Sequence, residues 1–146
     1  MELNPSSTDP EFWREAWDSM RPHSAAGPMG IEFVAIDADT LVLQLEITDA
    51  TRQPFGLFHG GVSMLLAESA ASFHSCWGTD LTKVAPVGVD INGTHLNSAR
   101  EGTVRATARV IKRGRTLVVH DIDIEHVESG KLLCKARVSN LLIAHK

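Results

Sequence analysis

The chain has 146 residues, of which 43% are hydrophobic and 22% charged, a balance typical of one globular domain. Its formal net charge of −4 argues against a general affinity for nucleic acid. The two cysteines, Cys76 and Cys134, are too few for a disulfide framework, and the N-terminus shows no secretory signal. We therefore expect reduced thiols and a cytoplasmic protein.

The first part of the chain predicts a short amphipathic helix. Asp9 is a favourable N-cap, Pro10 suits the first helical position, and apolar residues follow at helical spacing up to Met20. Residues 22–27 predict a linker, which serves either as a strap on the sheet or as a lid over a ligand. The predicted division is an N-terminal helix and linker at 1–27 and a main domain at 28–146.

Six later segments are predicted to be β-strands, and the second and fourth of them alternate between apolar and polar residues, which is the pattern of half-buried strands. The six segments are residues 31–36, 40–47, 84–96, 103–112, 116–127 and 132–143. Short turns join several of them, which predicts an antiparallel meander but leaves the strand order open. Gly88 and Gly93 lie inside the third segment and indicate bulges or close approaches of another element. Four residues of the last segment face one way: Leu132, Cys134, Ala136 and Val138.

A long apolar helix is predicted between the second and third strands. Residues 62–77 contain no Gly, no Pro and one formal charge, Glu68, and Gly78 is a suitable stop. This run is too short, and too interrupted by polar residues, to span a membrane. Its start, His59-Gly60-Gly61, has no Ser, Thr, Asp or Asn cap, so its free N–H groups suit an anion or a polarised carbonyl.

These elements together predict an α+β fold. One long central helix lies against a curved antiparallel sheet of about six strands, and a short N-terminal helix is added to it. This arrangement is the economical way to bury one apolar helix against the apolar face of a sheet.

Several familiar active-site patterns do not occur in the sequence. The nearest match to G-x-S-x-G, at residues 61–65, lacks the second glycine and the βαβ alternation. Neither H-E-x-x-H nor C-x-x-C occurs, and His120 and His126 have no convincing third ligand, so no metal is expected. No nucleotide-binding glycine motif is present, and Cys76 is interpreted as a packing residue.

The remaining candidate for chemistry is Glu68 with its surroundings. Ser72 lies one helical turn further on the same face, Gln53 comes from the preceding loop, and Gly60 or Gly61 offers a backbone N–H. A general base or nucleophile together with oxyanion donors is a layout for acyl transfer. The alternative is a buried glutamate that is satisfied by the backbone of the sheet.

The spacing between Gly60 and Glu68 adds a geometric constraint. Eight residues correspond to about 12 Å along a helix axis, and the glutamate side chain recovers only about 4 or 5 Å of it. One carbonyl group therefore cannot easily contact both the helix start and the carboxylate of the same helix. Two antiparallel copies of the helix solve this problem, so we expect an active site that is shared across a two-fold dimer.

These residues resemble a known family. The segment Gln53-Pro-Phe-Gly-Leu-Phe-His59-Gly60-Gly61, then Glu68 and Ser72, and then residues 90–102 are similar to the hotdog-fold acyl-CoA thioesterases. The most similar branch contains the Arthrobacter-type 4-hydroxybenzoyl-CoA thioesterase, the 1,4-dihydroxy-2-naphthoyl-CoA hydrolases and the phenylacetate-type thioesterases. The resemblance covers roughly residues 28–144.

The resemblance implies roles for individual residues. Glu68 matches the catalytic carboxylate, and the N–H of Gly60 would polarise the thioester carbonyl. Gln53 and His59 match residues that position the substrate carbonyl and the loop, and Ser72 stands near the attacking water or the acyl enzyme. Segments that contact coenzyme A in the family correspond to Gly88, His95, Leu96, Asn97, Ser98, Lys112, Arg113, Gly114, Arg115 and Thr116. The basic turn among them suits phosphate, although a solvated hairpin tip is the alternative interpretation.

The implied function is hydrolysis of acyl-CoA thioesters to free acid and CoA, with Glu68 as nucleophile or general base. An aromatic acyl group is expected first and a medium-chain one second; the candidate aryl pocket residues are Phe55, Phe58, Met64 and Phe73. The alternatives are a hotdog dehydratase or hydratase and a non-catalytic acyl-CoA-binding protein. No cofactor is expected beyond the CoA of the substrate, and the expected assembly is a homodimer with shared sites that pairs into a tetramer.

Overall fold

The computed structural model describes residues 6–146. The first helix, α1, spans Pro10–Met20, and a short 3-10 turn follows at Arg21–His23. The central helix, α2, spans Gly60–His74. The six strands are β1 (Glu32–Ile36), β2 (Thr40–Glu46), β3 (Val84–His95), β4 (Thr103–Arg113), β5 (Leu117–His126) and β6 (Leu132–Ala144). Each predicted helix and strand is therefore present, with ends that differ by at most three residues.

All six strands form one antiparallel sheet in the order β1-β2-β4-β5-β6-β3. The predicted meander is correct for β4, β5 and β6, but it is wrong for β3, which pairs with β6 rather than with β4. The connection at residues 96–102 carries the chain from β3 at one edge of the sheet to β4 in its interior. Among the described residues, one side of β3 has no strand beside it.

The sheet curves around α2, which contacts β2, β3, β4, β5 and β6. Every second residue of the central strands points at the helix, as the alternation predicts. The fully buried core includes Leu41, Leu43, Leu66, Ile122 and Val138. At about 25 cal/mol per Å² of buried apolar surface, this core is the main source of folding free energy.

The N-terminal helix covers the open side of α2. Asp9 caps α1 by accepting a hydrogen bond from the N–H of Glu11 at 3.0 Å, as the Asp-Pro pair predicts. Trp13 and Trp17 are buried and pack edge-on against Phe73 of α2, with ring centroids 5.6 and 5.1 Å away. Residues 1–5 of the predicted N-terminal segment lie outside the described residues, and the division of the chain at residue 28 stays a prediction.

The end of α2 differs from the prediction. The helix ends at His74 with Ser75 as its C-cap, rather than continuing through residue 77. Gly78 is still in the left-handed region, with φ +65°, but it closes the turn that follows the helix. Among residues 6–146, neither helix has the length and apolar character needed to cross a membrane.

Candidate active site

The start of α2 is less open than its sequence indicates. His59 is the N-cap, and its Nδ1 accepts a hydrogen bond from the N–H of Gly61 at 2.8 Å. The predicted absence of a cap is therefore wrong, because an imidazole nitrogen can replace the usual Ser, Thr, Asp or Asn oxygen. The N–H of Gly60 makes no hydrogen bond within the described part of the chain. One donor is thus left at the positive end of the helix.

Gln53 holds its own loop and presents a second donor. Its side-chain Oε1 accepts hydrogen bonds from the N–H groups of Phe55 and Leu57, and its backbone N–H bonds to the Leu57 carbonyl at 2.8 Å. Arg100 braces the same loop by donating to the Phe55 carbonyl at 3.1 Å. Because Oε1 faces the loop, the amide nitrogen of Gln53 is the atom available to a ligand.

A cavity of about 200 Å³ lies at this end of α2. It is lined by Gln53, Leu57, Phe58, Gly60, Ser63, His95, Asn97, Ser98 and Leu133. The His95 ring packs directly on Gly60, where an added Cβ would come within 2.7 Å of Nε2. A side chain at position 60 would therefore displace the imidazole or close the cavity. We call this region the carbonyl cavity.

Glu68 lies two turns further along α2, at a different place. Its side chain is half-buried and packs on Gly88 of β3, where an added Cβ would overlap the carboxylate. Gly88 is therefore required for close approach, as its position within a strand predicts, and a bulge follows it between Gly88 and Asp90. Gly93 similarly makes room for Met64.

Ser72 lies on the same face of α2 as Glu68 and lines a second, larger cavity. Its hydroxyl donates a hydrogen bond to Oδ1 of Asn140, a fully buried residue of β6, at 2.8 Å. The cavity beside it measures about 330 Å³ and is mostly apolar. It is lined by Trp17, Met20, Ser24, Ala25, Ala26, Ser69, Ser72, Phe73, Cys76 and Pro86. We call this region the apolar cavity.

Of the four residues predicted to line an aryl pocket, Phe73 lines the apolar cavity. Phe58 lines the carbonyl cavity instead, Phe55 is 83% exposed, and Met64 packs against Gly93. The sequence interpretation missed the wall that α1 and the residues after it supply. Cys76 is also in the wall, and burial raises the pKa of its thiol to about 12, so it is an uncharged packing residue at neutral pH.

The basic residues at the turn between β4 and β5 have different roles. Arg113 donates hydrogen bonds to the carbonyls of His74 and Trp77, both at 3.2 Å, and so holds the C-terminal end of α2. Burial lowers the pKa of this guanidinium group from its usual value. Within residues 6–146, Lys112 and Arg115 form no salt bridge and no side-chain hydrogen bond, so their charges remain available.

A buried histidine pair lies behind the last turn of α2. Nε2 of His74 is 2.8 Å from the Asp37 carbonyl, which can only accept, so His74 carries its proton there. Nδ1 of His74 then accepts from Nε2 of His120 at 2.7 Å. Burial lowers the pKa of both residues, that of His120 to about 3. Both rings are therefore neutral structural groups, and no cluster in the described part of the chain is suited to a metal ion.

The predicted site residues thus fall into two groups that one chain does not bring together. Gln53, Gly60, His95, Asn97 and Ser98 meet at the carbonyl cavity. Glu68 packs on Gly88 about 12 Å further along the helix axis, and Ser72 follows Glu68 by one turn on the same face of α2. The side chain of Leu96 is 51% exposed and that of His59 caps the helix, and neither residue lines the carbonyl cavity or the apolar cavity.

Comparison with known proteins decides the family. The model of the thioesterase superfamily matches residues 55–134, a segment that contains α2, β3 and every member of the two groups of candidate residues except Gln53. The chain belongs to the thioesterase superfamily. Relatives of this thioesterase include two 1,4-dihydroxy-2-naphthoyl-CoA hydrolases. That of Listeria monocytogenes is 42% identical over 109 residues, which cover 75% of this chain and 87% of the relative. That of Escherichia coli is 36% identical over 129 residues, which cover 88% and 93%.

Solved structures confirm the fold. A mutant thioesterase of Pseudomonas aeruginosa superposes on this thioesterase with a TM-score of 0.86 at 36% identity, covering 90% of this chain and 94% of that one. The family resemblance and the hotdog fold predicted from the sequence are therefore confirmed, and the protein is an enzyme that hydrolyses thioesters. The roles of the individual site residues stay predictions.

Proposed function

We propose that this thioesterase hydrolyses acyl-CoA thioesters, with aromatic acyl groups favoured over medium-chain ones, in an active site shared by two subunits. The observation that carries the proposal is the separation of the carbonyl cavity from Glu68 within one chain. A hydrogen-bond donor to the carbonyl oxygen and a carboxylate must act on the same thioester. A second copy of the chain therefore supplies its Glu68 carboxylate to the carbonyl cavity of the first.

The free edge of β3 provides a route to such a dimer. Each of the two groups lies against its own residue of this strand: Glu68 packs on Gly88, and Gly60 packs on His95. The proposed dimer pairs β3 with a second β3 around a two-fold axis, in the antiparallel register that places Gly88 of one subunit opposite His95 of the other. The two-fold axis then passes between Ile91 and Asn92, inside the strand.

The exposed residues of β3 are consistent with this pairing. Val89 is 52% exposed and Val87 is 37% exposed, which is unfavourable for an edge strand facing water. Pairing of the edge satisfies its free backbone groups and covers these side chains. It also brings the helix start of each subunit beside the partner's Glu68, so the dimer has two equivalent sites.

The chemistry then follows from the donors. The N–H of Gly60 and the amide of Gln53 hydrogen-bond to the thioester oxygen and stabilise the negative charge that develops on it. Glu68 of the other subunit either attacks the carbonyl carbon to form a mixed anhydride or takes a proton from water that attacks it. In both routes the carbon–sulfur bond breaks and the CoA thiolate takes up a proton. In the first route a water then hydrolyses the mixed anhydride, which releases the carboxylic acid and restores the Glu68 carboxylate. In the second route the attacking water itself becomes part of the released acid.

The apolar cavity is the proposed acyl site. Its volume of about 330 Å³ lies at the lower end of the range for small-molecule pockets, and Trp17, Phe73 and Pro86 supply flat apolar surfaces for an aromatic ring. The names of the two hydrolases reported above, which act on a bicyclic aromatic acyl-CoA, support the same choice.

The CoA portion is assigned to polar groups that line the carbonyl cavity and to basic groups outside it. His95, Asn97 and Ser98 line that cavity, and Lys112 and Arg115 have free charges that suit phosphate. No further cofactor is required by this chemistry.

We further propose that two dimers pair into a tetramer and that the enzyme acts in the cytoplasm. Leu141 and Ile143 are exposed on β6 and form an apolar area that a second dimer would cover. The two cysteines are unpaired, which agrees with a reducing compartment.

A panel of benzoyl-CoA, naphthoyl-CoA and octanoyl-CoA, assayed for free thiol, tests the activity. The wild-type enzyme is expected to release CoA fastest from the aromatic substrates. Glu68→Gln keeps the shape of the side chain but removes both base and nucleophile, so we expect kcat to fall by about 10²-fold or more.

Three outcomes would contradict the proposal. Activity of Glu68→Gln within tenfold of wild type would exclude the assigned role of Glu68. A change in the acyl chain without release of thiol would indicate a dehydratase or hydratase. Binding of acyl-CoA without turnover would indicate a non-catalytic protein.

A further inference from the structure

Asn140 is an unusual residue for its place in the fold. It occupies an inward-facing position of β6, in line with Cys134, Ala136 and Val138, and its side chain is fully buried. An apolar side chain at this position would continue the core without the free-energy cost of burying an amide. The site described above does not account for this residue.

Only the oxygen of the Asn140 side-chain amide has a hydrogen-bond partner in the described part of the chain. Its Oδ1 accepts the proton of the Ser72 hydroxyl at 2.8 Å, whereas its Nδ2 has no partner within residues 6–146. A buried, unpartnered amide N–H lowers the stability of the fold. A contribution to stability therefore does not explain the asparagine at this position. The hydrogen bond that its side chain does form is with Ser72, which indicates a role that involves that residue.

That bond fixes what the Ser72 oxygen can do. A hydroxyl has one proton, and once Asn140 accepts it, the oxygen has only lone pairs to offer. Ser72 also lines the apolar cavity, so these lone pairs are near the proposed acyl site. Glu68 lies one helical turn before Ser72 on the same face, where side chains are about 5 to 6 Å apart at Cβ.

We propose that Asn140 is a positioning residue that holds the Ser72 hydroxyl as an acceptor for the attacking water. The inference rests on the proposed function, because it requires hydrolysis beside Glu68. The water then donates one hydrogen bond to Glu68 and the other to Ser72. These two hydrogen bonds direct a lone pair of the water oxygen toward the thioester carbon.

The step balances in the hydrolytic reaction. The water oxygen forms the bond to the carbonyl carbon, one water proton passes to Glu68, and the carbon–sulfur bond breaks. The sulfur leaves with its electron pair and receives the proton from Glu68. Ser72 and Asn140 exchange no proton in this sequence, because their role is to fix the direction of the water.

A double-mutant cycle tests the inference. Benzoyl-CoA is the substrate, and kcat and KM are measured for Ser72→Ala, Asn140→Leu and the double variant. We expect each single variant to lower kcat by about tenfold with KM within twofold, since a misdirected nucleophile affects the chemical step. The double variant is expected to match Ser72→Ala, because Asn140 acts through Ser72.

The control separates positioning from packing. Val118 pairs directly with Asn140 in the β5–β6 register and is equally buried, so Val118→Ala disturbs the same part of the core without removing a hydrogen bond. It is expected to lower the melting temperature and leave kcat within twofold of wild type. If Asn140→Leu does not fold, Asn140→Ala takes its place in the cycle.

Two results would overturn the inference. One is a kcat for the Asn140 variant within twofold of wild type, and the other is a further tenfold loss when it is added to Ser72→Ala. Glu68→Gln is assayed in parallel. If Glu68→Gln retains activity the proposed function fails, whereas if it is inactive and the cycle is additive, only the role of Asn140 fails.

Discussion

The shared site can be tested by mixing two inactive enzymes. Glu68→Gln disables the carboxylate, and Gln53→Glu disables the carbonyl donor while keeping the oxygen that Phe55 and Leu57 require. Removing one oxyanion donor costs about 10²- to 10³-fold in kcat, so each variant alone is expected to have about 1% activity or less. Both changes preserve side-chain size, so that a loss of activity reports on the site and not on the fold.

The expected recovery follows from counting sites. When equal amounts of the two variants exchange subunits at random, half of the dimers are mixed. Each mixed dimer contains one site with an intact Gln53 and an intact Glu68, and one site without either. Since one site in two is restored in half of the dimers, activity should recover to about a quarter of the wild-type value.

The assay is thiol release from benzoyl-CoA after joint unfolding and refolding, with each variant treated alone as the control. A second mixture combines wild type with the double variant Glu68→Gln/Gln53→Glu. In a shared site this mixture keeps about a quarter of wild-type activity, whereas a site within one chain keeps about half. Recovery below about 3% in the first mixture, or half activity in the second, would refute the shared site.

Two further predictions concern the basic turn and the histidine pair. Arg115→Ala is expected to raise KM for CoA thioesters severalfold with kcat unchanged, and an unchanged KM would remove the phosphate assignment. Arg113→Ala is expected to lower the free energy of unfolding by about 1 kcal/mol, because two carbonyls at the end of α2 lose their donor. Burial lowers the pKa of His120 to about 3, so between pH 6 and about 3 this histidine is protonated in the unfolded chain but not in the folded one. As the pH is lowered through this range, the contribution of His120 should reduce the free energy of unfolding by about 1.4 kcal/mol per pH unit. Urea unfolding at several pH values checks this, and His120→Gln, which cannot be protonated, should have a correspondingly smaller slope.

Local patterns in the sequence were sufficient for most of the fold. Alternation located the strands, and the glycines at 88 and 93 correctly indicated close approach to the helix. The position of β3 beside β6 could not be predicted, because that pairing joins segments about 40 residues apart and leaves no local signal. The end of α2 was misplaced because apolar residues continue into the turn that follows the helix.

The candidate site was predictable to the extent that it is contiguous. Residues 53–72 lie in one loop and one helix, so spacing alone showed that Gly60 and Glu68 are too far apart for one carbonyl. Asn140 was missed, although a signal was present. The inward series that ends at Val138 continues at position 140 with an amide instead of an apolar residue.

The walls of the apolar cavity come from a part of the chain that is remote from the proposed chemistry. Trp17, Met20 and residues 24–26 contribute one side of it, and they precede β1. Substitutions at the positions of this leading segment that line the cavity would therefore reshape it while leaving Gln53, Gly60 and Glu68 unchanged. With the apolar cavity as the proposed acyl site, acyl preference can be altered from a part of the chain that does not carry the groups assigned to thioester cleavage.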